Sequence, residues 1–252
     1  MAMIVNLGGI VPLSTVDWPG RVSAVIFLRG CPFRCPFCQN AELQSGWTPV
    51  DITELMDRLF PRRGAGQSIL HEFSKSSRSL LIDSVVLSGG EPLAQREAAL
   101  AIAREVKARG LDLGVETNGY HPETLEALVS EGCLSRVFLD IKAAPREDAY
   151  LRATGIRDAL PRVLRSLDVI VENKVPFEIR ITVFPGMPSE DELKEISDLL
   201  QHVTPRSLES VVLQQGIPPR GEFEPVSEED LRRLAQSLKF NIRIRSLRRS
   251  VP

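Results

Sequence analysis

The feature of the sequence that most limits its possible folds is an alternation of short β-type runs with amphipathic helical runs. The β-type runs occupy six places, at 21–28, 84–87, 111–115, 137–141, 177–183 and 210–213. The helical runs between them repeat apolar residues every three or four positions, as at Ile52, Leu55, Met56 and Leu59. This order predicts a parallel sheet with helices outside. Because there are six units, and a closed barrel has eight, we expect an α/β fold: a partial, open (β/α)6 TIM-like barrel of parallel strands.

Length and composition favour one domain without a membrane segment. A chain of 252 residues is typical of one α/β barrel, and a hydrophobic content of 43% supports a sizeable core. We expect a single domain over 1–252, with an N-terminal lead-in at 1–20, a loop or insertion at 62–79 and a C-terminal edge segment at 240–252. The net charge of −2 gives no electrostatic reason to expect nucleic acid or membrane as a partner. With neither a membrane-spanning run nor a signal-peptide pattern, we expect a cytoplasmic protein.

Local signals set several element boundaries. The glycines and prolines of residues 1–20 predict a short strand followed by turns. Capping pairs predict helix starts at Ser189 with Glu192 and at Ser227 with Asp230. Residues 241–246 alternate apolar and basic side chains, as in an edge strand with one solvated face. The basic residues of this tail are interpreted as solvating that edge; they are Arg243, Arg245, Arg248 and Arg249.

Three of the four cysteines fall within eight positions, as Cys31, Cys35 and Cys38 in the spacing C-x3-C-x2-C. A structural zinc site takes four protein ligands, commonly from two separated pairs. Three thiolates instead suit a [4Fe–4S] cluster with one iron left open to a small molecule. A zinc site completed by Cys133 or a histidine, or three inert thiols, are the alternatives. A disulfide framework is disfavoured because the chain is long and poor in cysteine.

Each of the six predicted strands is followed by polar or glycine-rich residues. In parallel barrels the chemistry gathers at the carboxyl ends of the strands, so these groups should share one rim. They are the cysteine loop, Ser88-Gly89-Gly90-Glu91, Glu116-Thr117-Asn118-Gly119, Asp140-Ile141-Lys142, the stretch from Arg180 to Gly186, and Gln214-Gln215-Gly216. The sequence therefore predicts an active site at this rim.

The two segments after the second and third strands each allow a functional and a structural interpretation. Gly89 and Gly90 remove side chains where the backbone must approach a ligand closely, or they form an ordinary turn. Glu91 could bind a ligand or cap the following helix. Glu116 and Asn118 could bind ribose hydroxyls or a cation, or they belong to an Asn-Gly turn with a solvated glutamate.

Two charged groups are expected on the inner face of the sheet. Asp140 and Lys142 point to the same side because strand side chains alternate, so Lys142 either reaches a ligand or forms an ion pair with Asp140. Arg180 lies between two isoleucines and has no apolar environment of its own. Its guanidinium could bind a carboxylate through two hydrogen bonds. The histidines, His71, His121 and His202, have no mutual spacing and are interpreted as surface residues.

The cysteine spacing, with Phe37 just before the last cysteine, resembles the radical S-adenosylmethionine (SAM) superfamily. The longer string from Ser14-Thr15-Val16-Asp17-Trp18-Pro19-Gly20 to Cys38-Gln39-Asn40 resembles the activating enzymes of glycyl-radical enzymes. Within that group it is most similar to the activating proteins of anaerobic ribonucleoside-triphosphate reductase. The resemblance implies the superfamily's open barrel, a [4Fe–4S] cluster on Cys31, Cys35 and Cys38, and SAM bound at its open iron.

The resemblance also implies roles for the other site residues. The cofactor-binding set would be Phe37, Ser88, Gly89, Gly90, Glu91, Glu116, Asn118, Lys142, Arg180 and Gln214. Asp17 would contact the substrate peptide, or else only organise the turn that follows it. The chain departs from the pattern at Glu116, where close relatives often have Asp, and at Gln214, where some activating enzymes have His. A monovalent-cation site is therefore not carried over.

The implied activity is that of an oxidoreductase which cleaves SAM reductively and abstracts a hydrogen atom from a glycine of a partner enzyme. The partner implied by the resemblance is anaerobic ribonucleotide reductase, and the electron donor is an external low-potential protein such as ferredoxin or flavodoxin. An exposed cluster implies anaerobic conditions. Two alternatives are a radical SAM enzyme acting on a small molecule, such as 7-carboxy-7-deazaguanine synthase, and a zinc-stabilised interaction module.

Overall fold

The computed structural model describes residues 3–60, 81–203, 208–217, 224–236, 238–240 and 242–246. Its strands are β1 (Ile4–Ser14), β2 (Ser23–Leu28), β3 (Pro49–Asp51), β4 (Ser84–Gly89), β5 (Asp112–Thr117), β6 (Arg136–Asp140), β7 (Phe177–Val183), β8 (Leu208–Gln215) and β9 (Ile242–Arg245). Its helices are α1 (Ile52–Leu59), α2 (Arg96–Ala108), α3 (Pro122–Ser130), α4 (Glu147–Thr154), α5 (Ala159–Glu172), α6 (Glu190–Val203) and α7 (Glu228–Gln236). The loop or insertion expected at 62–79 lies outside the described residues, as does part of the segment 240–252.

The chain divides into two compact units, each assembled from separate stretches of sequence. The N-terminal unit comprises Met1–Cys31, Glu42–Glu116 and Glu123–Arg136. The C-terminal unit comprises Pro32–Ala41, Thr117–Pro122 and Val137–Pro252. The single domain over 1–252 stays a prediction.

In the N-terminal unit the strands are ordered β3-β1-β2-β4-β5. β1 is antiparallel to both of its neighbours, whereas β2, β4 and β5 are parallel. Ser23, Ser84 and Asp112 are in register at the start of the three parallel strands. The carboxyl ends of β2 and β4 therefore lie at the same edge of the sheet.

The expectation of a short strand within residues 1–20 was wrong, because β1 is a strand of 11 residues; the expected turns do follow it, over residues 15–20. Gly8 and Gly9 lie inside it, where the pairing with β2 shifts register between Leu7 and Gly9. A Cβ on Gly8 would lie 2.9 Å from Leu43 Cδ2 and 3.0 Å from the carbonyl oxygen of Phe27. Gly8 therefore lies at a β-bulge that packs closely against these atoms. Glycine is common both in bulges and in turns, so the sequence alone did not distinguish the two.

In the C-terminal unit the strands β6-β7-β8-β9 are all parallel. Paired residues of neighbouring strands project to the same side, and side chains alternate along each strand. One side is largely apolar; it is buried on β6 and β7 and half-buried on β9. The other carries a set of polar side chains, called here the polar face: Asp140, Glu178, Arg180, Thr182, Ser210, Gln214, Arg243 and Arg245.

Helix boundaries largely follow the predicted caps. The amide of Glu192 donates to Ser189 Oγ at 3.2 Å and the amide of Ser189 donates to Glu192 Oε2 at 2.9 Å, which confirms the capping box of α6. The amide of Asp230 donates to Ser227 Oγ at 3.0 Å at the start of α7. α4 was not predicted, because its two turns are too short to show a periodic pattern.

The predicted fold class is confirmed. All pairs between β2 and β9 that are described are parallel, and helices alternate with these strands. In the described part of the chain, β3 and β9 each pair with one neighbour, so the sheet is open.

Candidate active site

The cysteine loop is divided between the two units. Cys31 ends the first stretch of the N-terminal unit, and its amide donates to the carbonyl oxygen of Gln44 at 3.2 Å. Cys35 and Cys38 belong to the C-terminal unit, where the amide of Cys38 donates to the carbonyl oxygen of Cys35 at 3.2 Å. All three are half-buried and none forms a disulfide. They are thus available as thiol ligands.

The double glycine after β4 packs against the backbone that leads into Cys31. The amide of Gly90 donates to the carbonyl oxygen of Leu28 at 2.9 Å, and the amide of Glu91 donates to that of Gly30 at 2.8 Å. Gly89 has a φ of +127°, and a Cβ there would lie 2.2 Å from the Leu28 oxygen. A Cβ on Gly90 would lie 2.5 Å from the Gly30 oxygen. The sequence predicted that the backbone at these glycines approaches a ligand closely or forms an ordinary turn. In the structure, it is the backbone of Leu28 and Gly30 that lies close to them.

Glu91 caps the short 3-10 helix Pro92–Ala94, as one of its two interpretations predicted. Its buried carboxylate accepts a hydrogen bond from the amide of Leu93 at 3.0 Å. The neighbouring Ser88 Oγ donates to Glu116 Oε2 at 2.7 Å, so β4 and β5 present a hydroxyl and a carboxylate together. Glu116 is therefore partnered within the protein and not merely solvated. Cofactor binding by Ser88, Gly89, Gly90, Glu91 and Glu116 stays a prediction.

Sequence reasoning missed the side-chain amides of Gln95 and Asn6, which hold the chain that leads into the cysteine loop. Gln95 Nε2 donates to the carbonyl oxygens of Asn6 at 2.9 Å and Arg29 at 2.8 Å, and Gln95 Oε1 accepts from the Asn6 amide at 2.9 Å. Asn6 Oδ1 also accepts from the amide of Thr48. These bonds fix the chain just before Gly30. They join residues far apart in sequence, so no local pattern marks them.

In the C-terminal unit, Cys35 lies in the electrostatic field of an ion pair. Lys142 Nζ donates to Asp140 Oδ2 at 2.8 Å, which confirms the ion-pair interpretation. Burial raises the pKa of the Cys35 thiol above its ordinary value, and the ammonium of Lys142 opposes part of that rise. Burial alone would lower the pKa of Lys142, but the charges of Asp140 and Cys35 and the hydrogen bond to Asp140 together raise it. Lys142 therefore stays a cation near the cysteine loop.

Helix α4 holds the middle of the cysteine loop. The amide of Arg34 donates to the carbonyl oxygen of Thr154 at 2.7 Å, at the last residue of the helix. Gly155 ends α4 with a φ of +73°, and a Cβ there would lie 3.4 Å from Arg34 Cβ. The adjacent Phe33 is fully buried and meets the ring of Tyr120 edge-on at 5.5 Å.

We expect Gly155→Ala to lower the free energy of unfolding by about 1 kcal/mol, because alanine is strained in the left-handed backbone at this helix end. Chemical denaturation monitored by circular dichroism measures the loss. Gly110→Ala is the matched control, since Gly110 follows α2 with a φ of +70° and a Cβ there would have nothing within 4 Å. A larger loss at Gly155 than at Gly110 would report the contact with Arg34, and no loss at Gly155 would contradict the assignment of strain.

Phe37 is positioned by the ends of β7 and β8. Its ring stacks on that of Phe184, with centroids 4.5 Å apart and an interplanar angle of 30°. Phe184 in turn fills the space over Gly216, where a Cβ would lie 2.3 Å from the Phe184 ring. Gln214 Nε2 donates to Thr182 Oγ1 at 2.6 Å on the polar face. Cofactor contacts of Phe37 and Gln214 stay predictions.

Asn118 begins the Asn-Gly turn that was one of its two interpretations. Its Oδ1 accepts from the amide of Tyr120 at 3.0 Å, and Gly119 has a φ of +77°. Ser166 Oγ donates to the carbonyl oxygen of Gly119 at 2.7 Å, so α5 fixes the turn. The side chain of Asn118 is buried, and a role in binding the cofactor stays a prediction.

Arg180 is buried on the polar face. Its Nε donates to Glu178 Oε1 at 2.9 Å, and its guanidinium lies 4.2 Å from the centroid of the Phe138 ring. The expectation that Arg180 has no apolar environment was therefore incomplete, because the aromatic face provides one. Sequence reasoning also missed Glu178, although its spacing of two from Arg180 in a β-run places both on one side.

The predicted residues not yet described are Asp17, the histidines and Cys133. Asp17 accepts a short hydrogen bond from Ser14 Oγ, which supports its role in organising the turn after β1. His202 is exposed as expected, whereas His121 is half-buried against Tyr120; His71 lies outside the described residues. Cys133 is buried, and its thiol lies 3.6 Å from the carbonyl oxygen of Glu131.

Among the residues that the structure describes, no three His, Cys, Asp or Glu side chains are grouped as ligands of one metal ion. The zinc alternative stays a hypothesis. Ligation of a cluster by Cys31, Cys35 and Cys38 also stays a prediction. Within the same residues, no helix is long and apolar enough to cross a membrane.

Comparison with known proteins gives a match to the family model of the radical SAM superfamily over residues 25–200. A protein of Methanocaldococcus jannaschii, provisionally named a glycyl-radical enzyme activating enzyme, is 33% identical over 199 residues, covering 76% of this chain and 73% of the relative. The pyruvate formate-lyase 2-activating enzyme of Escherichia coli K12 is 26% identical over 220 residues, covering 79% and 74%.

The fold is similar to a solved structure along nearly its whole length. QueE from Escherichia coli superposes with a TM-score of 0.54 at 15% identity, covering 98% of this chain and 95% of that chain. At this identity the likeness concerns the fold alone. The family match and the first relative together show that the chain belongs to the radical SAM superfamily and, within it, to the activating enzymes of glycyl-radical enzymes.

Proposed function

We propose that this protein activates anaerobic ribonucleotide reductase by removing a hydrogen atom from the Cα of a glycine in that enzyme. The observation that carries the proposal is the cysteine loop itself, three cysteines in the C-x3-C-x2-C spacing that form no disulfide, within a chain of this family. The choice of ribonucleotide reductase is supported by the string around Asp17 and Trp18 in the sequence. Curated relatives carry names that refer to other partners, including pyruvate formate-lyase and choline trimethylamine-lyase.

The cofactors of this family are a [4Fe–4S] cluster and SAM, and we assign the cluster to Cys31, Cys35 and Cys38. The donor set fits, because the three thiols are half-buried, free of disulfides and three in number, which leaves one iron open. When bound, the cluster and SAM supply a reduction that yields methionine and a 5′-deoxyadenosyl radical. The protein contributes binding, orientation and exclusion of water.

The charges of the C-terminal unit support SAM binding there. Lys142 remains cationic beside Cys35, and Arg180 lies on the polar face. Both could contact the carboxylate of SAM, since a guanidinium and an ammonium are the ordinary partners of carboxylates. In the N-terminal unit, the hydroxyl of Ser88 and the carboxylate of Glu116 offer polar partners for the ribose or the amino group.

The remaining assignments follow from the family. Gly89, Gly90, Glu91, Phe37, Asn118 and Gln214 complete the cofactor-binding set. Asp17 is assigned to the partner's glycine-containing peptide. The electron comes from an external low-potential protein such as ferredoxin or flavodoxin, and we place the protein in the cytoplasm of an anaerobic cell.

The test is formation of a glycyl radical. Anaerobically reconstituted and reduced protein is incubated with SAM and anaerobic ribonucleotide reductase, and we expect the doublet signal of a glycyl radical in the electron paramagnetic resonance spectrum. A reductase variant with the acceptor glycine replaced by alanine is the control and should give no doublet. A doublet only with pyruvate formate-lyase would change the partner. SAM cleavage without any doublet would favour a small-molecule substrate, and a colourless protein holding zinc would refute the proposal.

A further inference from the structure

Glu178 is a buried carboxylate at the centre of the polar face, and only 1% of its surface is exposed. It is bound by groups from three strands. Arg180 Nε of the same strand donates to Oε1 at 2.9 Å, and Ser210 Oγ of β8 donates to Oε2 at 2.9 Å. Arg243 of β9 forms a short ion pair with the same Oε2. One carboxylate thus links β7, β8 and β9.

Stability alone does not account for this arrangement. Removing charges from water is costly, and replacing a buried ion pair with packed apolar side chains is often neutral or stabilising. On the same side of the sheet, Phe138 is in register with Glu178 and Val212 with Arg180, so this face also accommodates apolar residues. A buried carboxylate between two guanidinium groups therefore points to a need for defined orientation.

The side chain whose orientation it defines is Arg180. Glu178 holds the Nε edge of the guanidinium, while the centroid of the Phe138 ring lies 4.2 Å from the guanidinium carbon. A hydrogen bond at its edge and an aromatic ring beside it together restrict both the direction and the tilt of a planar group. Arg180 is itself only 5% exposed, so little freedom remains.

We propose that Glu178 is a positioning residue that orients Arg180 toward the carboxylate of SAM, and that Arg243 anchors Glu178 from β9. The inference rests on the proposed function, in which Arg180 contacts SAM. It extends the SAM site to the last described strand, since Arg243 belongs to β9 and its side chain is 43% exposed.

The test measures SAM binding, without turnover, to anaerobically reconstituted protein by equilibrium dialysis. Glu178→Gln keeps the shape of the side chain but removes its charge, and we expect SAM to bind about tenfold more weakly. Arg180→Lys should weaken binding by a similar factor, and the double variant should lose little more, because the two residues act as one unit. Glu131→Gln, a carboxylate paired with Arg104 on the surface of the N-terminal unit, is the matched control and should bind SAM as the wild type does.

Arg243→Gln is the second variant, for use if Glu178→Gln does not fold. The Arg243 side chain is partly exposed, so its replacement should disturb folding less. It should weaken SAM binding by a few-fold, whereas Arg232→Gln, an exposed arginine of α7 that pairs with Glu228, should leave SAM binding unchanged. Wild-type affinity in folded Glu178→Gln, or losses that add fully in the double variant, would refute the proposal. Wild-type protein that binds no SAM would instead refute the proposed function.

Discussion

Cys35→Ala is expected to abolish reductive cleavage of SAM, with a loss of activity of roughly a thousandfold or more. Mutating a residue that only hydrogen-bonds to a metal ligand can already lower activity by up to about a hundredfold, and losing a ligand itself should cost more. Two remaining thiolates cannot hold a [4Fe–4S] cluster with a single open iron. The reconstituted variant should also lose the brown colour and bind substoichiometric iron. Iron and sulfide analysis, together with 5′-deoxyadenosine measured by chromatography, provide the readouts.

Cys133→Ala is the control for this experiment. Cys133 is buried, and its thiol faces the carbonyl oxygen of Glu131 in the N-terminal unit. We expect it to keep a full complement of iron and normal SAM cleavage. Should Cys133→Ala lose iron while Cys35→Ala keeps it, the assignment of the ligands to Cys31, Cys35 and Cys38 would be wrong.

Gly89→Ala is expected to lower the free energy of unfolding by about 3 kcal/mol or more, since backbone strain and overpacking each cost about 1–3 kcal/mol. The backbone at Gly89 has a φ of +127°, and a Cβ there would lie 2.2 Å from the oxygen and 2.5 Å from the nitrogen of Leu28. Both atoms are backbone of β2 and cannot move aside as a side chain could. Thermal and urea unfolding of the purified variant measure the loss.

Gly9→Ala in β1 provides the comparison for Gly89→Ala. A Cβ at Gly9 has nothing within 4 Å, so we expect little change in stability. Because β2 leads directly to Cys31, the Gly89 variant should also reconstitute less iron than the Gly9 variant. Equal stability of the two variants would show that the turn after β4 tolerates a side chain.

The sequence predicted the elements whose signals are local. The capping box of Ser189 with Glu192 lies within four residues, and each strand end after β2 is followed by a polar or glycine-rich segment that can be recognised without its neighbours. These signals were sufficient for the α/β class and for the alternation of parallel strands with helices, but not for β3 or α4. They also predicted Cys35, Lys142 and Asp140 at one rim of the fold; in the structure Lys142 and Asp140 form an ion pair, and Lys142 opposes the rise that burial causes in the pKa of the Cys35 thiol.

The features that were missed depend on contacts between distant residues. The bulge at Gly8 is set by Phe27 and Leu43, which are known as neighbours only once β1 and β2 are paired. Gln95 bonds to the backbone of Asn6, 89 residues away. Glu178 could have been noticed from its spacing to Arg180, but its second guanidinium comes from Arg243 on β9.

The position of β9 has a consequence for the solubility of the protein. Among the described strands it pairs only with β8, and an edge strand of this kind offers backbone groups that a strand of another molecule could join. Two of its four residues are arginines, and both are exposed. Their positive charges repel an identical strand from a second copy. The side chain that reaches back to Glu178 thus also helps to keep neighbouring molecules apart, and an apolar residue in its place would invite self-association.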